Sequence, residues 1–260
     1  MAVHPASAPR TDQRTLLAFD TSTARGGVAV LRNGKTLSEI SWERQGSHAE
    51  FLTPAIEKCL SEAGLIAQNL DAIAIGHGPG SFTGVRVAVN AARSLGFALG
   101  KPTYAFDTSE ILAAGVPTTS SVFASRSNFQ PNFRPDFHHL LTIVNAHKNS
   151  VYASIFRFEK STWVRTLPLT AVSPEDLSSL VKDPHLCLGD GYLEYADVLP
   201  ANLKALLLRE NSFSDFPLPA ALGLMASMPT PISRPLVWNE VQALYIRDSG
   251  AEEKLRESTK

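Results

Sequence analysis

The sequence predicts an α/β protein built as two lobes, each a mixed sheet flanked by helices. Three observations carry that prediction. Strand-like and helix-like patterns alternate in the order βββαβ, then α, between residues 15 and 105. A β-meander, a helix and a strand recur in the same order in the second half, so the halves share a topology with little sequence likeness left. The chain is also long enough: 260 residues, 44% of them hydrophobic, suit roughly two domains that bury about 70% of the unfolded surface.

Residues 1–14 are rich in Ala, Pro and Ser and read as a disordered extension. Thr15 to Phe19 and Gly27 to Leu31 are apolar strands, and Thr36 to Trp42 alternates. The last two are joined through Asn33-Gly34, a pair that accepts the positive φ values of a tight hairpin. Ser47-His48-Ala49-Glu50 fits a capping box, after which Phe51, Leu52, Ala55, Ile56, Cys59 and Leu60 form one apolar face; Pro54 should bend this helix and Gly64 should end it. A buried strand, Ala72 to Ile75, leads to a second helix from about Thr83 to Leu99, with a further strand near Pro102 to Ala105. In the second half, Leu140 to Val144, Val151 to Phe158 and Trp163 to Leu169 read as strands. Ser173-Pro174-Glu175-Asp176 opens a helix with Pro at its first position, and Leu186 to Leu188 ends at Gly189-Asp190-Gly191. The domain reading is therefore a first lobe at 15–110 and a second at 111–215, with a closing segment, 216–247, that returns toward the first lobe and a polar tail, 248–260. An insertion at about 117–139 interrupts the second lobe. Its proline-spaced phenylalanines suit either a surface excursion or a peptide-binding segment.

Composition excludes several classes of function. With 24 basic and 25 acidic side chains the net charge is -1, which argues against a chain that grips nucleic acid unaided. No apolar run is long enough to span a membrane, and the first residues lack the apolar core of a secretory signal, so a cytoplasmic protein is expected. Cys59 and Cys187 stand apart, outside any CxxC pair, and read as buried thiols of a reducing compartment. No HExxH or HxxxH pair is present, so no metal site is expected.

Two motifs could carry chemistry. Gly76-His77-Gly78-Pro79-Gly80-Ser81-Phe82-Thr83-Gly84 lies between a buried strand and a helix. It is neither a Walker A loop nor a Rossmann fingerprint, and it suits equally a phosphate cradle or a tight strand-to-helix turn. Asp20-Thr21-Ser22-Thr23 ends the first strand, where a carboxylate and hydroxyls could position a hydrated magnesium and a phosphate, or could merely form a turn. The matching turn of the second lobe, Val144 to Ser150, has the neutral Asn145 where a carboxylate is wanted, which speaks against ATP turnover. On the second helix, Gly84, Ala88, Ala91, Ala92 and Gly96 permit close approach, either of the chain's own sheet or of a partner, beside a polar stripe of Arg86, Asn90 and Arg93.

Leu17-Ala18-Phe19-Asp20-Thr21-Ser22, the string from Gly76 to Arg86 and the late Leu244-Tyr245-Ile246-Arg247 together resemble the TsaB family, formerly called YeaZ. The resemblance spans about Thr15 to Asp248 and is strongest up to Asp107. It implies the two-lobed actin-like (ASKHA, RNase H-like) ATPase fold and a non-catalytic paralogue of the enzyme TsaD. Such a chain would be a scaffold or activating subunit beside a TsaD-like subunit and a TsaE-like ATPase. Their complex transfers a threonylcarbamoyl group from threonylcarbamoyl-AMP to the adenosine beside the anticodon in tRNAs reading codons that begin with A. The resemblance further implies that tRNA is met only through the complex and that no cofactor or metal is required. It leaves room for a residual or shared nucleotide (ATP or ADP) and for a homodimer. The nucleotide-type loops would then be vestigial, at Asp20, Thr21, Ser22, Gly78, Gly80 and Ser81. The subunit contact would fall on the two first-lobe helices, at Leu52, Ala55, Ile56, Cys59, Arg86, Ala88, Asn90, Ala92 and Arg93. Two departures stand out: Asn145-Ala146-His147 replaces the Asp-Ala-Arg common in the family, and the 117–139 insertion is atypical. The competing expectation is an autonomous ASKHA-type kinase or ATPase.

Overall fold

The computed structural model describes residues 14–43, 48–116, 137–160, 162–228 and 234–246. The N-terminal extension, Ser47 of the expected capping box, most of the 117–139 insertion, Arg247 and the polar tail lie outside the described residues.

The chain opens with β1 (Thr15–Asp20), β2 (Arg25–Arg32) and β3 (Lys35–Glu43), an antiparallel meander. Asn33 and Gly34 have φ of 56° and 72°, the left-handed pair that a two-residue hairpin needs. α1 (His48–Glu62) follows and runs on through Pro54, and β4 (Ala72–Gly76) adds parallel to β1. α2 (Phe82–Leu99) starts at a Ser81 cap and stops at Gly100, whose φ of 63° supplies a left-handed end. β5 (Thr103–Phe106) completes a sheet of order β3-β2-β1-β4-β5, and α3 (Thr108–Ala114) begins at an Asp107–Glu110 capping box.

The second lobe repeats the plan. β6 (His139–Asn145), β7 (Val151–Glu159) and β8 (Thr162–Val172) form the meander. Then come α4 (Leu177–Leu180), β9 (His185–Leu188), α5 (Asp190–Tyr195), α6 (Ala201–Lys204) and β10 (Leu207–Leu208). The order β10-β9-β6-β7-β8 mirrors that of the first sheet, with β9 parallel to β6 as β4 is to β1. This duplicated mixed sheet is the two-lobed actin-like (ASKHA, RNase H-like) α/β fold. The helix expected to open at Pro174 instead starts at Leu177 and is a single turn. The reason is local: Ser173 and Asp176 bond each other, the hydroxyl donating to the carboxylate and accepting from the Asp176 amide, which closes a turn first.

Period-two alternation along β1 divides the first core. Leu17 and Phe19 point to one face, where Leu52, Ile56 and Cys59 of α1 and Val85, Ala88 and Ala92 of α2 cover them. Leu16 and Ala18 point to the other, under Ile111 of α3 and Leu222 and Ala226 of α7 (Pro219–Ser227). α3 serves both lobes, because Ala113 also packs with Leu140, Phe156 and Leu188 of the second sheet. The expected lobe boundary between residues 110 and 111 therefore falls inside a shared helix. Arg165 of β8 ties the same place electrostatically, donating to the Asp107 carboxylate at 2.6 Å with Glu110 at 3.7 Å. Among the described residues, no helix is long and apolar enough to cross a membrane.

Candidate functional site

The first strand delivers Asp20 to the sheet's end, and the parallel partner β4 brings Gly76 beside it. A side chain on Gly76 would place its Cβ 1.7 Å from Asp20 Oδ2, so the carboxylate occupies the space that a residue other than glycine would fill. The loop that follows is laced to the first hairpin. The Ser81 amide donates to the Ser22 carbonyl at 2.7 Å, the Thr21 hydroxyl donates to the Gly84 carbonyl at 2.7 Å, and the Thr108 amide donates to the Gly78 carbonyl at 2.8 Å. Cβ atoms at Gly80 and Gly84 would lie 2.0 Å from the Ser22 carbonyl oxygen and 1.9 Å from that of Thr21. Gly78, at φ 107°, would set its own 2.9 Å from the Leu244 carbonyl, in a backbone region that favours glycine.

Asp20 is sealed, with 1% of its surface exposed. It accepts from the Ser22 amide and hydroxyl, both at 2.9 Å, and the Thr108 hydroxyl donates in turn to Ser22 Oγ at 3.0 Å. Burial outweighs the two Ser22 bonds and pushes the Asp20 carboxyl up to about 6.

A cleft with about 160 Å³ of free volume opens between the lobes. The first lobe lines it with Ser22, Thr23, His48, Ser81, Thr83 and Val87, and the second with Asn145, His147 and Asp190. His48 is committed to the fold: the Trp42 indole donates to its Nδ1 at 3.2 Å, so Nε2 carries the proton and donates to the Thr23 carbonyl at 2.9 Å. Burial lowers its pKa, which keeps that neutral form. The described lining includes no Arg or Lys to balance a phosphate.

Sequence reasoning missed the second carboxylate. The strand end at Asn145 is neutral, as read, but the Asn145 amide donates to Asp190 Oδ1 at 2.9 Å. The second lobe thus supplies its acid from the first residue of α5, directly after β9 and Gly189, the topological counterpart of the connection after β4. Burial raises Asp190 to about 6, with the Asn145 amide opposing, and the charges of Asp215 and of Asp20 add to the rise. The signal was Gly189-Asp190-Gly191: Cβ atoms at Gly189 and Gly191 would lie 2.1 and 2.8 Å from the Ile143 carbonyl oxygen, so the glycines let this connection close on the strand end. The inference that the second lobe lacks a carboxylate is therefore corrected. Among the described residues, no three His, Cys, Asp or Glu side chains come together as a metal site.

A family model described as TsaD, tRNA N6-adenosine threonylcarbamoyltransferase, matches residues 36–180, more than half of the chain. The chain is 28% identical over 252 residues to the tRNA threonylcarbamoyladenosine biosynthesis protein TsaB of Haemophilus influenzae, covering 93% of this chain and 97% of that one. It is 28% identical over 178 residues to the protein of the same name from Bacillus subtilis, 67% of this chain and 70% of that one. Among solved structures, YeaZ from Pseudomonas aeruginosa superposes with a TM-score of 0.71 at 26% identity, over 89% of this chain and 99% of that one. The chain belongs to the TsaB/YeaZ family.

Membership gives the motif residues a frame, and the structure sorts them. Of the TsaB/YeaZ loop residues proposed as a vestigial phosphate site, Ser22 and Ser81 line the cleft. Asp20 and Thr21 are buried behind it, and the open faces of Gly78 and Gly80 are filled by the chain's own carbonyls. The space a side chain would take at these two glycines is filled by the chain's own backbone, which accounts for their place in a tight strand-to-helix turn. The expected partner residues divide as well. Leu52, Ala55, Ile56, Cys59, Ala88 and Ala92 are buried in the first lobe's own core, with only Ala55 and Ile56 keeping as much as 8% and 7% of their surface exposed. The small residues of α2 bring it close to its own sheet, which explains the correction. Arg86, Asn90 and Arg93 lie on the exposed side of α2.

Proposed function

We propose that this chain acts in tRNA threonylcarbamoyladenosine biosynthesis as a non-catalytic scaffold or activating subunit, in the cytoplasm, beside a TsaD-like transferase and a TsaE-like ATPase. The names of its relatives support the process, and the sealing of Asp20 supports the role. A carboxylate that positions metal and water must face them. Here it is buried behind Ser22, which bonds it, and it fills the space beside Gly76. No cofactor is required by the chain itself in this reading; a nucleotide would be residual or shared within the complex. The mild net charge supports contact with tRNA through the complex alone.

One observation favours a second reading, an autonomous ATP-dependent kinase or ATPase: Asp190 stands at the cleft wall and feels the charge of Asp20. A steady-state phosphate-release assay on the isolated protein separates the two. We expect no turnover above background. Turnover abolished by Asp20→Ala or by Asp190→Asn would establish the enzyme instead. Tagging the chain in its native cell should co-purify a TsaD-like subunit, and depletion should lower threonylcarbamoyladenosine in bulk tRNA; unchanged modification would reject the role.

A further inference from the structure

β6 and β9 run parallel and both begin with histidine, and the register Leu140↔Leu186 sets His139 beside His185. Period-two alternation puts the two rings on the face of Leu141 and Cys187, at the end of the sheet away from the cleft. Asn145, the cleft residue of β6, is about 20 Å off along the strand. The ring centres lie 5.0 Å apart, with their planes 25° from parallel. His185 is 5% exposed and its tautomer is fixed. Its Nδ1 lies 2.6 Å from the Asp183 carbonyl, which can only accept, so Nδ1 carries the proton and Nε2 keeps a lone pair. Among the described residues no hydrogen bond occupies that Nε2 or either ring nitrogen of His139. His139 is only partly buried, which leaves a way in from solvent. Burial lowers the His185 pKa against the pull of the Asp183 carbonyl, and His139 adds to the fall, so the ring is neutral at pH 7.

The spacing of the rings fits a shared ion. An ion about 2.0–2.1 Å from each imidazole nitrogen stands about 3.2 Å from each ring centre. Angles of about 90–109° at the ion then separate the centres by roughly 4.5–5.2 Å, which brackets the observed 5.0 Å. We propose that His139 and His185 form a two-imidazole site for a late first-row divalent ion (Cu²⁺, Ni²⁺ or Zn²⁺) that cross-braces β6 and β9, with water completing its coordination. The residue types select this class, because neutral imidazole suits these ions while Mg²⁺ and Ca²⁺ want oxygen. Among the described residues no third His, Cys, Asp or Glu joins the pair, so two ligands carry the affinity. The nearby charge is balanced: Arg157 stands opposite His139 on β7 but is paired with Glu159, and Asp183 lies beside His185. The site is independent of the tRNA reading, since an ion here braces the far end of the sheet and takes no part in the cleft.

The test titrates the full-length protein, without a histidine tag, with CuCl₂, NiCl₂ and ZnCl₂, and with MgCl₂ as control. Calorimetry and Tm report binding, and electron paramagnetic resonance counts the nitrogens on Cu²⁺. We expect one ion per chain, two imidazole nitrogens on Cu²⁺, a raised Tm and no response to Mg²⁺. His139→Gln and His185→Gln should each weaken binding by about tenfold or more, since even a bond that only orients a ligand is worth that much. Both should also remove the rise in Tm, and lowering the pH from 7 to 5 should weaken binding in the parent as protons compete. Because His185 is buried, circular dichroism must show that its variant folds; if it does not, His139→Gln on the partly exposed ring decides. No binding by the parent, or binding unchanged in His139→Gln, overturns the site. So does one ion per two chains with dimer formation, which would assign the ion to a contact between copies. Inorganic phosphate bound at pH 6 and lost in the same variants, with no metal bound, would make the pair an anion site beside Arg157 and overturn it as well.

Discussion

Replacing Gly84 with alanine should cripple the fold, although helix propensity alone favours the change by about 1 kcal/mol. Gly84 sits in the first turn of α2, and a Cβ there would lie 1.9 Å from the Thr21 carbonyl oxygen, whose strand end is pinned by β2 and β4. Backbone cannot swing aside as a side-chain tip can. The same substitution also disturbs the Thr21 hydroxyl bond to the Gly84 carbonyl. Overpacking of this kind costs about 3 kcal/mol or more, well above the propensity gain. Gly96→Ala in the same helix is the internal control. Its Cβ would meet the Lys101 carbonyl oxygen and the Trp238 Cβ at 3.3 Å and Thr103 Oγ1 at 3.4 Å, contacts that a shift of a few tenths of an ångström relieves where the 1.9 Å overlap at Gly84 cannot be relieved, so propensity and crowding should nearly cancel. Chemical denaturation of both variants checks the pair. Equal midpoints for the two would show that contact with Thr21 does not set the cost.

This contrast explains how much of the molecule was legible beforehand. The meander could be read because Asn33-Gly34 and the alternation of β3 act locally, and the repeated strand order followed from the same signals in the second half. The glycine string was visible, but its meaning was not: a residue without a side chain permits close approach and does not say of what. Gly76, Gly80 and Gly84 admit Asp20, Ser22 and Thr21, all distant in sequence. The same ambiguity misplaced Ala88 and Ala92, which fit a partner or a sheet equally well by spacing. Val85 and Val89 share their buried arc, while Arg86, Asn90 and Arg93 point away, so the polar positions carried the orientation. α7 gave no period at all, because Pro219, Ala220, Ala221, Leu222, Gly223, Leu224 and Ala226 are buried together and leave little polar face to mark a direction. Asp190 could not be read from the strand end, because the second lobe brings its carboxylate from the start of α5, after the neighbouring strand.

Asp20→Asn should stabilise the protein at pH 8 and about half as much at pH 5. The cause is the buried carboxylate, whose pKa is raised from 3.8 to about 6 by loss of solvent. The folded protein holds this proton more tightly than the unfolded chain, so over the window from about 4 to about 6 the native state binds more protons. The associated stability is present below the unfolded value and is lost as pH rises through about 6. At pH 8 the folded state carries a buried charge that costs up to roughly 3 kcal/mol, since each tenfold change in proton affinity corresponds to about 1.4 kcal/mol. An asparagine carries no charge at either pH, and its carbonyl oxygen can still accept from the Ser22 amide and hydroxyl, which now donate to Asp20. Its NH₂ group adds a cost of its own, but that cost does not vary with pH. The informative quantity is therefore the difference in Tm between variant and parent, compared at the two pH values. We expect that difference to be more positive at pH 8 by several degrees, at roughly 2–4 °C per kcal/mol for a chain of this size. Asp190→Asn should move in the same direction, since burial raises that carboxyl to about 6 as well, and by less, because Asp190 is partly exposed at the wall of the cleft, where solvent screens its charge. A difference for Asp20→Asn that is the same at pH 5 and pH 8 would mean that the carboxylate is not held against its charge, and the sealed site that supports a non-catalytic role would have to be given up with it.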